Sequence, residues 1–257
     1  MRTGRLLLVP TPLDFGAEAQ PLAHSLPGDT IATAAGVSHW IVENAKSARA
    51  FLKRVDALHP LDTPLQSLMM TELPRQAHKR GDHQAGALDE AARPLLAPAL
   101  QGHDVGLLSE AGMPAVADPG SSVVRAAHAL GLEVVPLIGP VSLMLALAAS
   151  GLNGQRFAFV GYVPQDPVSR ARELRDLDSQ ATRSGQTQIV IETPYRNTAL
   201  LHSLVDSLNP RTRLAAAFAL GGPQQTVRSA LVSEWRQAPP WRSSLPMDQP
   251  CVFLFGP

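Results

Sequence analysis

The segment of residues 107–120 contains residue types that suit a ligand-binding loop, and it reads Leu-Leu-Ser-Glu-Ala-Gly-Met-Pro-Ala-Val-Ala-Asp-Pro-Gly. It follows an apolar run, residues 105–108, that is typical of a buried strand, and it precedes an apolar pattern with helical spacing. Ligands of open α/β sheets bind where loops leave the carboxyl ends of strands. Gly112 removes side-chain bulk, so that the backbone can approach a ligand, and Pro114 stiffens the loop. The segment therefore predicts a binding loop.

Several polar residues of this region have two interpretations. Glu110 is either a solvated loop carboxylate or an acceptor for a ribose hydroxyl of a bound ligand. Asp118 favours a helix N-cap, with Pro119 at the first helical position, over a catalytic role. Ser142 either caps the helix that follows Pro140 or lies near a ligand. The sequence does not identify a general base.

The surrounding patterns predict alternating strands and helices, and hence a parallel sheet with helices on its faces. The predicted strands cover residues 6–9, 30–32, 64–70, 105–108, 133–136, 157–160, 188–192, 214–220 and 251–255. The predicted helices cover residues 41–55, 88–99, 123–130, 142–150, 170–183 and 200–208, the second broken near Pro94 and Pro98.

Composition limits the classes of function. A chain of 257 residues is long enough for two domains of about 100–150 residues. It contains 22 basic and 22 acidic residues, so no global field attracts a polyanion, although a local basic stretch at residues 75–83 is either a solvated face or an RNA contact. A single cysteine, Cys251, excludes an intrachain disulfide and predicts a cytoplasmic location. We expect no signal peptide and no membrane span.

Common catalytic motifs do not occur in the sequence. It contains no Gly-x-Gly pair, no complete P-loop, no Gly-x-Ser-x-Gly and no His-Glu-x-x-His. These absences argue against dehydrogenase, kinase, α/β-hydrolase and metalloprotease functions, and no metal site is predicted.

The 107–120 segment resembles the Ser-Asp-Ala-Gly-Thr-Pro…Asp-Pro-Gly loop of the tetrapyrrole methylase superfamily. The resemblance is closest to its branch of small-subunit ribosomal RNA 2′-O-methyltransferases I. Four further segments match the branch in order: Leu8-Val-Pro-Thr-Pro-Leu13, Val135-Pro-Leu-Ile-Gly-Pro-Val-Ser142, Phe157-Ala-Phe-Val-Gly-Tyr-Val-Pro164 and Ile191-Glu-Thr-Pro-Tyr-Arg196.

This resemblance implies an α/β fold of two domains with a bound methyl donor. The expected domains are residues 1–137, with a mostly parallel sheet, and residues 138–257, with a mixed sheet, and the donor is expected in the cleft between them. The implied cofactor is S-adenosylmethionine, and the implied partners are a second copy of the chain and small-subunit ribosomal RNA. The implied donor-binding residues are Pro10, Ser109, Glu110, Ala111, Gly112, Met113, Pro114, Asp118 and Ser142.

Three segments depart from the family pattern and leave the methyl acceptor open. They are Asp14-Phe-Gly16, Glu43-Asn-Ala-Lys46 and Ala219-Leu-Gly-Gly222. The interpretations are a methyltransferase of ribosomal RNA, a methyltransferase of a tetrapyrrole or other small molecule, and a catalytically impaired protein that binds S-adenosylmethionine.

Overall fold

The computed structural model describes residues 3–14, 20–74, 87–238 and 240–257. The chain divides into two compact units, Met1–Pro140 and Val141–Pro257. The expected boundary after residue 137 and the observed division after Pro140 lie in the same connecting segment. The basic stretch at residues 75–83, and Phe15 and Gly16 of the first departing segment, lie outside the described residues.

The first unit is built on a parallel sheet. Its strands are β1 (Arg5–Val9), β2 (His39–Val42), β3 (Met69–Glu72), β4 (Val105–Leu108) and β5 (Glu133–Pro136). They are ordered β3-β2-β4-β1-β5, and every pair is parallel. The near-continuous apolar character of β1 and β4 fits strands that are covered on both faces.

Helices of the first unit cover both faces of this sheet. They are α1 (Gly28–Ala35), α2 (Ala45–Asp56), α3 (Ala87–Ala92), α4 (Ala97–Leu100) and α5 (Ser121–Ala129). Side chains alternate along β1, so Leu7 packs in a cluster with Trp40 whereas Leu6 packs in another cluster with Ile41. The apolar residues of one short strand therefore anchor two layers of helices.

The second unit is built on a mixed sheet. Its strands are β6 (Phe157–Gly161), β7 (Thr187–Glu192), β8 (Arg213–Phe218), β9 (Thr226–Leu231) and β10 (Cys251–Gly256), in the order β6-β7-β10-β8-β9. β6 and β7 are parallel, and the remaining pairs are antiparallel. Its helices are α6 (Ser142–Ser150), α7 (Pro167–Ser184), α8 (Asn197–Ser207) and α9 (Val232–Arg236).

The predicted fold class, a mostly parallel sheet followed by a mixed sheet, is confirmed, and the pairs of the first sheet are all parallel. Glycine and proline residues in the sequence set several element boundaries. α6 ends where Gly151 takes a left-handed conformation (φ 74°), and the predicted interruption near Pro94 and Pro98 separates α3 from α4.

Other predictions about elements were wrong. Residues 30–32 belong to α1 rather than to a strand, because the helix starts directly after Pro27 and buries Ile31 on its inner face. The helix predicted from residue 41 begins only at Ala45, where the Asn44 side chain accepts a hydrogen bond from the backbone N–H of Lys46. β9 and α9 were not predicted.

Candidate active site

The candidate site lies at the carboxyl edge of the first sheet. β1, β2 and β4 are parallel neighbours, so the loops that follow Val9, Val42 and Leu108 leave from the same edge. In the strand order, the chain crosses from β1 over β4 to β2, and it crosses in the opposite direction from β4 over β1 to β5. Connections from two adjacent strands thus run in opposite directions, which is the type of position where open α/β sheets bind ligands.

Two backbone hydrogen bonds join the loops after β1 and β4. The N–H of Thr11 donates to the carbonyl of Gly112 at 2.9 Å, and the N–H of Gly112 donates to the carbonyl of Thr11 at 3.1 Å. The Thr11 hydroxyl also donates to the carbonyl of Ser109 at 3.4 Å. The predicted binding loop is therefore fixed to the loop that contains Pro10.

Glycine is required where these loops pass each other. Gly112 has φ 76°, and a Cβ atom there would lie 3.2 Å from Leu13 Cδ2. A side chain at Gly139 would overlap the ring of Pro10, so this glycine allows the segment after β5 to approach the same loop. At both positions a neighbouring loop lies so close that a side chain would meet it.

A buried hydroxyl at the strand end lacks a hydrogen-bond partner within the described part of the chain. Ser109 is only 4% exposed, and its Oγ makes no hydrogen bond there. An unsatisfied buried polar atom is costly, and it is a feature that a bound ligand can satisfy. The Ser109 hydroxyl therefore fits a polar ligand that lies against the 109–114 loop.

Three carboxylates gather beside the loop. The backbone N–H of Glu110 donates to Glu43 Oε2 at 2.8 Å, and the Ser47 hydroxyl donates to Glu110 Oε1 at 3.2 Å. Partial burial raises the pKa of Asp118 to about 7, and the nearby charges of Glu43 and Glu110 add to the rise. Asp118 can therefore gain or lose a proton near neutral pH.

The backbone around Asp118 is strained. Ala115 and Ala117 both have φ 64°, in the left-handed region that residues with a Cβ rarely adopt. Gly120, with φ 136°, is the N-cap of α5, which begins at Ser121. The preferred interpretation of Asp118 as N-cap, with Pro119 as first helical residue, is therefore wrong: the chain turns at Gly120 before the helix starts. Such strain is typical of functional loops.

The predicted donor-binding residues fall into two groups. Pro10, residues 109–114 and Asp118 lie on the loops at the carboxyl edge of the first sheet, whereas Ser142 is the first residue of α6 in the second unit. Val141 is the N-cap of that helix, so the alternative of Ser142 as the cap is wrong.

Sequence reasoning missed Thr11, Gly139 and Glu43 as members of this site. Thr11 and Gly139 each lie beside proline in short loops after strands, which is a signal that could have found them. Glu43 carried no such signal, because its contact with Glu110 spans 67 positions of sequence.

A second set of polar residues lies at a strand edge of the second unit. β6 and β7 are parallel neighbours, so Tyr162, which follows β6, and Glu192, which ends β7, leave from the same edge. Glu192 Oε1 accepts hydrogen bonds from Arg196 Nη2 at 2.7 Å and from the Thr193 N–H at 2.7 Å. The guanidinium of Arg196 lies 5.2 Å from the centre of the Tyr195 ring.

Within the described residues, no group of three or more His, Cys, Asp or Glu side chains is placed to hold a metal ion. None of the helices described there has the length and apolar character that a membrane span needs.

The architecture and the paired strand-end loops define a two-unit α/β protein with a candidate ligand site at the carboxyl edge of its parallel sheet. The sequence profile of the Tetrapyrrole (Corrin/Porphyrin) Methylases matches residues 41–235. The chain belongs to this family, and the predicted superfamily is confirmed.

Sequence relatives carry the name "Ribosomal RNA small subunit methyltransferase I". The protein of Pseudomonas aeruginosa is 36% identical over 133 residues, which are 52% of this chain and 46% of that protein. The protein of Neisseria meningitidis serogroup B is 27% identical over 224 residues, 87% of this chain and 75% of that protein. The chain thus spans about half the length of several relatives that it matches.

Solved structures share the fold. Uroporphyrin-III-C-methyltransferase from Thermus thermophilus has a TM-score of 0.53 at 19% identity, with 98% of this chain and 94% of that chain covered. Cobalt precorrin-4 methyltransferase has a TM-score of 0.56 at 12% identity, again over 98% and 94%. A further Thermus thermophilus structure, with a TM-score of 0.51, is a complex with S-adenosyl homocysteine.

Proposed function

We propose that this protein is an S-adenosylmethionine-dependent methyltransferase that methylates RNA of the small ribosomal subunit. Family membership and the names of the sequence relatives support both the reaction and the acceptor. The observation that carries the proposal is the bridge between Thr11 and Gly112, which brings two strand-end loops together beside the unpartnered hydroxyl of Ser109.

The donor would be held by the loops at the carboxyl edge of the first sheet. Pro10 and residues 109–114 would bind it largely through backbone groups, and the Ser109 hydroxyl would gain a partner. Asp118 belongs to the same proposal, whereas Ser142, in the second unit, stays a prediction from the family resemblance. When bound, S-adenosylmethionine supplies an activated methyl group on its sulfonium. The chain contributes position, because rigid loops hold reacting groups in an attack geometry at low entropic cost.

A hydroxyl acceptor must lose its proton during methyl transfer, and Asp118 is our candidate for the proton acceptor. Its pKa of about 7 suits proton transfer near neutral pH better than that of an ordinary carboxylate. Glu43 and Glu110 support this role because their charges disfavour a second negative charge beside them.

The proposal includes a homodimer in the cytoplasm. A formal net charge of zero offers no long-range repulsion between two copies. The second unit has an edge strand, β6, on which Phe157 and Phe159 are both partly exposed. Proteins normally protect such edges, and a second copy is one way to do so.

The function is tested by offering one labelled donor to several acceptors. Purified protein is incubated with S-adenosylmethionine labelled at the methyl group and with small ribosomal subunits from a strain that lacks the protein, with a uroporphyrinogen, or with no acceptor. We expect label in the ribosomal RNA alone. Label in the tetrapyrrole alone would favour the small-molecule enzyme, and donor binding without any transfer would favour a catalytically impaired protein.

A further inference from the structure

Two exposed aromatic residues and an arginine held by an ion pair follow the carboxyl ends of β6 and β7 in the second sheet. Tyr195 is 80% exposed and Tyr162 is 57% exposed. Arg196 follows β7 in the chain, and its side chain is 25% exposed. Exposed apolar surface that is contiguous marks interaction sites, and two exposed rings at one edge of the sheet are a candidate for such a surface.

Arg196 is held by a buried partner. The side chain of Glu192 is 2% exposed, and it accepts from Arg196 Nη2 and from both the N–H and the hydroxyl of Thr193. The hydrogen bond to Glu192 is the largest cause of the raised pKa of Arg196, and the charges of Glu192, Tyr195 and Tyr162 add to the rise. The ion pair with Glu192 therefore holds the guanidinium beside Tyr195, and Tyr162 follows β6 at the same carboxyl edge of the sheet.

The donor groups of Arg196 are only partly used. Nη2 is bonded to Glu192, Nε is buried without an acceptor, and Nη1 makes no hydrogen bond, as far as the described residues show. Nη1 is therefore the donor available to a phosphate oxygen, and flat exposed rings match nucleobases. Nucleotides combine both features in one ligand.

We propose that Tyr162, Tyr195 and Arg196 form a stacking surface for an unpaired nucleotide of the RNA substrate. The proposal rests on the proposed function, which supplies RNA as the acceptor. Tyr195 would stack on a base, Arg196 would contact the adjacent phosphate, and Glu192 would act as a positioning residue that keeps the guanidinium in place. Sequence-tolerant stacking of this kind suits single-stranded RNA better than a paired helix.

The test compares substrate affinity with donor affinity in variants of the full chain. Tyr195→Ala is the main variant, because a side chain that is 80% exposed can be removed without loss of the core. We expect it to raise KM for small subunits that lack the methylation by roughly tenfold, with little change in kcat and an unchanged calorimetric Kd for S-adenosylmethionine. Tyr195→Phe should restore most of the affinity, since the ring remains.

Arg211→Ala provides a matched control for the loss of a positive charge. Arg211 is exposed and precedes β8, whose first residue pairs with the last residue of β10. The first residue of β10 pairs with Glu192, so Arg211 lies near the other ends of the strands of this sheet. We expect this variant to behave as wild type. Arg196→Lys, which keeps the charge but loses the planar fork, should weaken subunit binding without affecting the donor.

A second measurement separates this inference from the proposed function. Binding of a short fluorescent single-stranded RNA is measured against salt concentration, with no donor present. Arg196→Gln should lower the slope of log affinity against log salt by about 0.7, the value for one lost phosphate contact to a single strand. If wild type binds this RNA through Tyr195 and Arg196 but methylates no subunit, the proposed function fails and the surface stands. An unchanged KM and unchanged RNA binding in Tyr195→Ala, or a parallel loss of donor affinity, would overturn the surface.

Discussion

Gly112 exchanges two hydrogen bonds with Thr11 at the centre of the candidate site, with a left-handed backbone and little free space around its Cα. Gly112→Val should abolish S-adenosylmethionine binding, because a branched side chain would meet Leu13 and would strain φ 76°. Isothermal titration calorimetry measures the loss, and circular dichroism checks that the fold is retained.

Gly131→Val is the matched control for this substitution. Gly131 has a similar φ of 69°, follows α5, and has open space where a Cβ would lie. Both variants should lose about 1–2 kcal/mol from placing a side chain on a left-handed backbone, and Gly112→Val should lose more because its side chain also meets Leu13. Normal donor binding by Gly112→Val would show that Gly112 is only a turn residue.

The raised pKa of Asp118 predicts that the rate of methyl transfer depends on pH. Its pKa of about 7 means that the carboxylate form, which accepts a proton, becomes populated as the pH rises through 7. The methyl-transfer rate should therefore rise with an inflection near pH 7 in wild type, and Asp118→Asn should be slow at every pH. An Asp118→Asn enzyme with the wild-type pH profile would exclude this residue as the proton acceptor.

The same group also links stability to pH. In the folded state Asp118 binds its proton more tightly than at the ordinary value of 3.8, so its protonation stabilises the fold. That contribution is fully present below about pH 4 and is lost as the pH rises to about 7. Urea unfolding of wild type and Asp118→Asn should show a stability difference that changes across this window. A constant difference would contradict the raised pKa.

At the scale of elements, β4 positions the binding loop, and Gly106 determines how closely Trp40 of β2 packs against it. A Cβ at Gly106 would lie 2.6 Å from the Trp40 ring, which is buried and donates from Nε1 to the carbonyl of Val37. Gly106→Ala should lower the free energy of unfolding by roughly 1–3 kcal/mol, as expected for an overpacked core. Urea unfolding tests this, with Gly154→Ala as the control in open space. Equal midpoints for the two variants would contradict the packing argument.

Local sequence signals determined many of the elements but not all of them. β5 and α6 have the predicted bounds, because apolar runs there end at proline or glycine. β9 was missed because it is an edge strand whose middle residues, Arg228 and Ser229, are polar and exposed. An edge strand has fewer buried side chains than a central strand, so the apolar pattern in its sequence is weak.

From the sequence, only those residues of the candidate site that lie in one continuous segment could be predicted. The 109–114 loop stood out because glycine and proline follow a buried strand directly. The carboxylate group of Glu43, Glu110 and Asp118 could not be found in this way, because parallel strands bring together residues that are distant in sequence. Backbone strain at Ala115 and Ala117 is likewise a property of the folded loop.

At the scale of the whole molecule, we predict a homodimer. Light scattering of the purified protein at tens of micromolar should give twice the monomer mass of 27.4 kDa. Phe159→Glu on the exposed edge strand β6 should shift the mass towards the monomer if that edge is covered by the second copy, since a charge cannot be buried there without a partner. A wild-type mass of 27.4 kDa would contradict the dimer.

We propose that the chain transfers a methyl group to RNA of the small ribosomal subunit through the loops around Gly112. Mass spectrometry tests this with nucleosides from small-subunit ribosomal RNA of a deletion strain that expresses wild type, Gly112→Val or Asp118→Asn. We predict one methylated nucleoside that is absent from the deletion strain, restored by wild type and not restored by Gly112→Val. RNA with identical methylation in the deletion strain and in the strain that expresses wild type would contradict the claim.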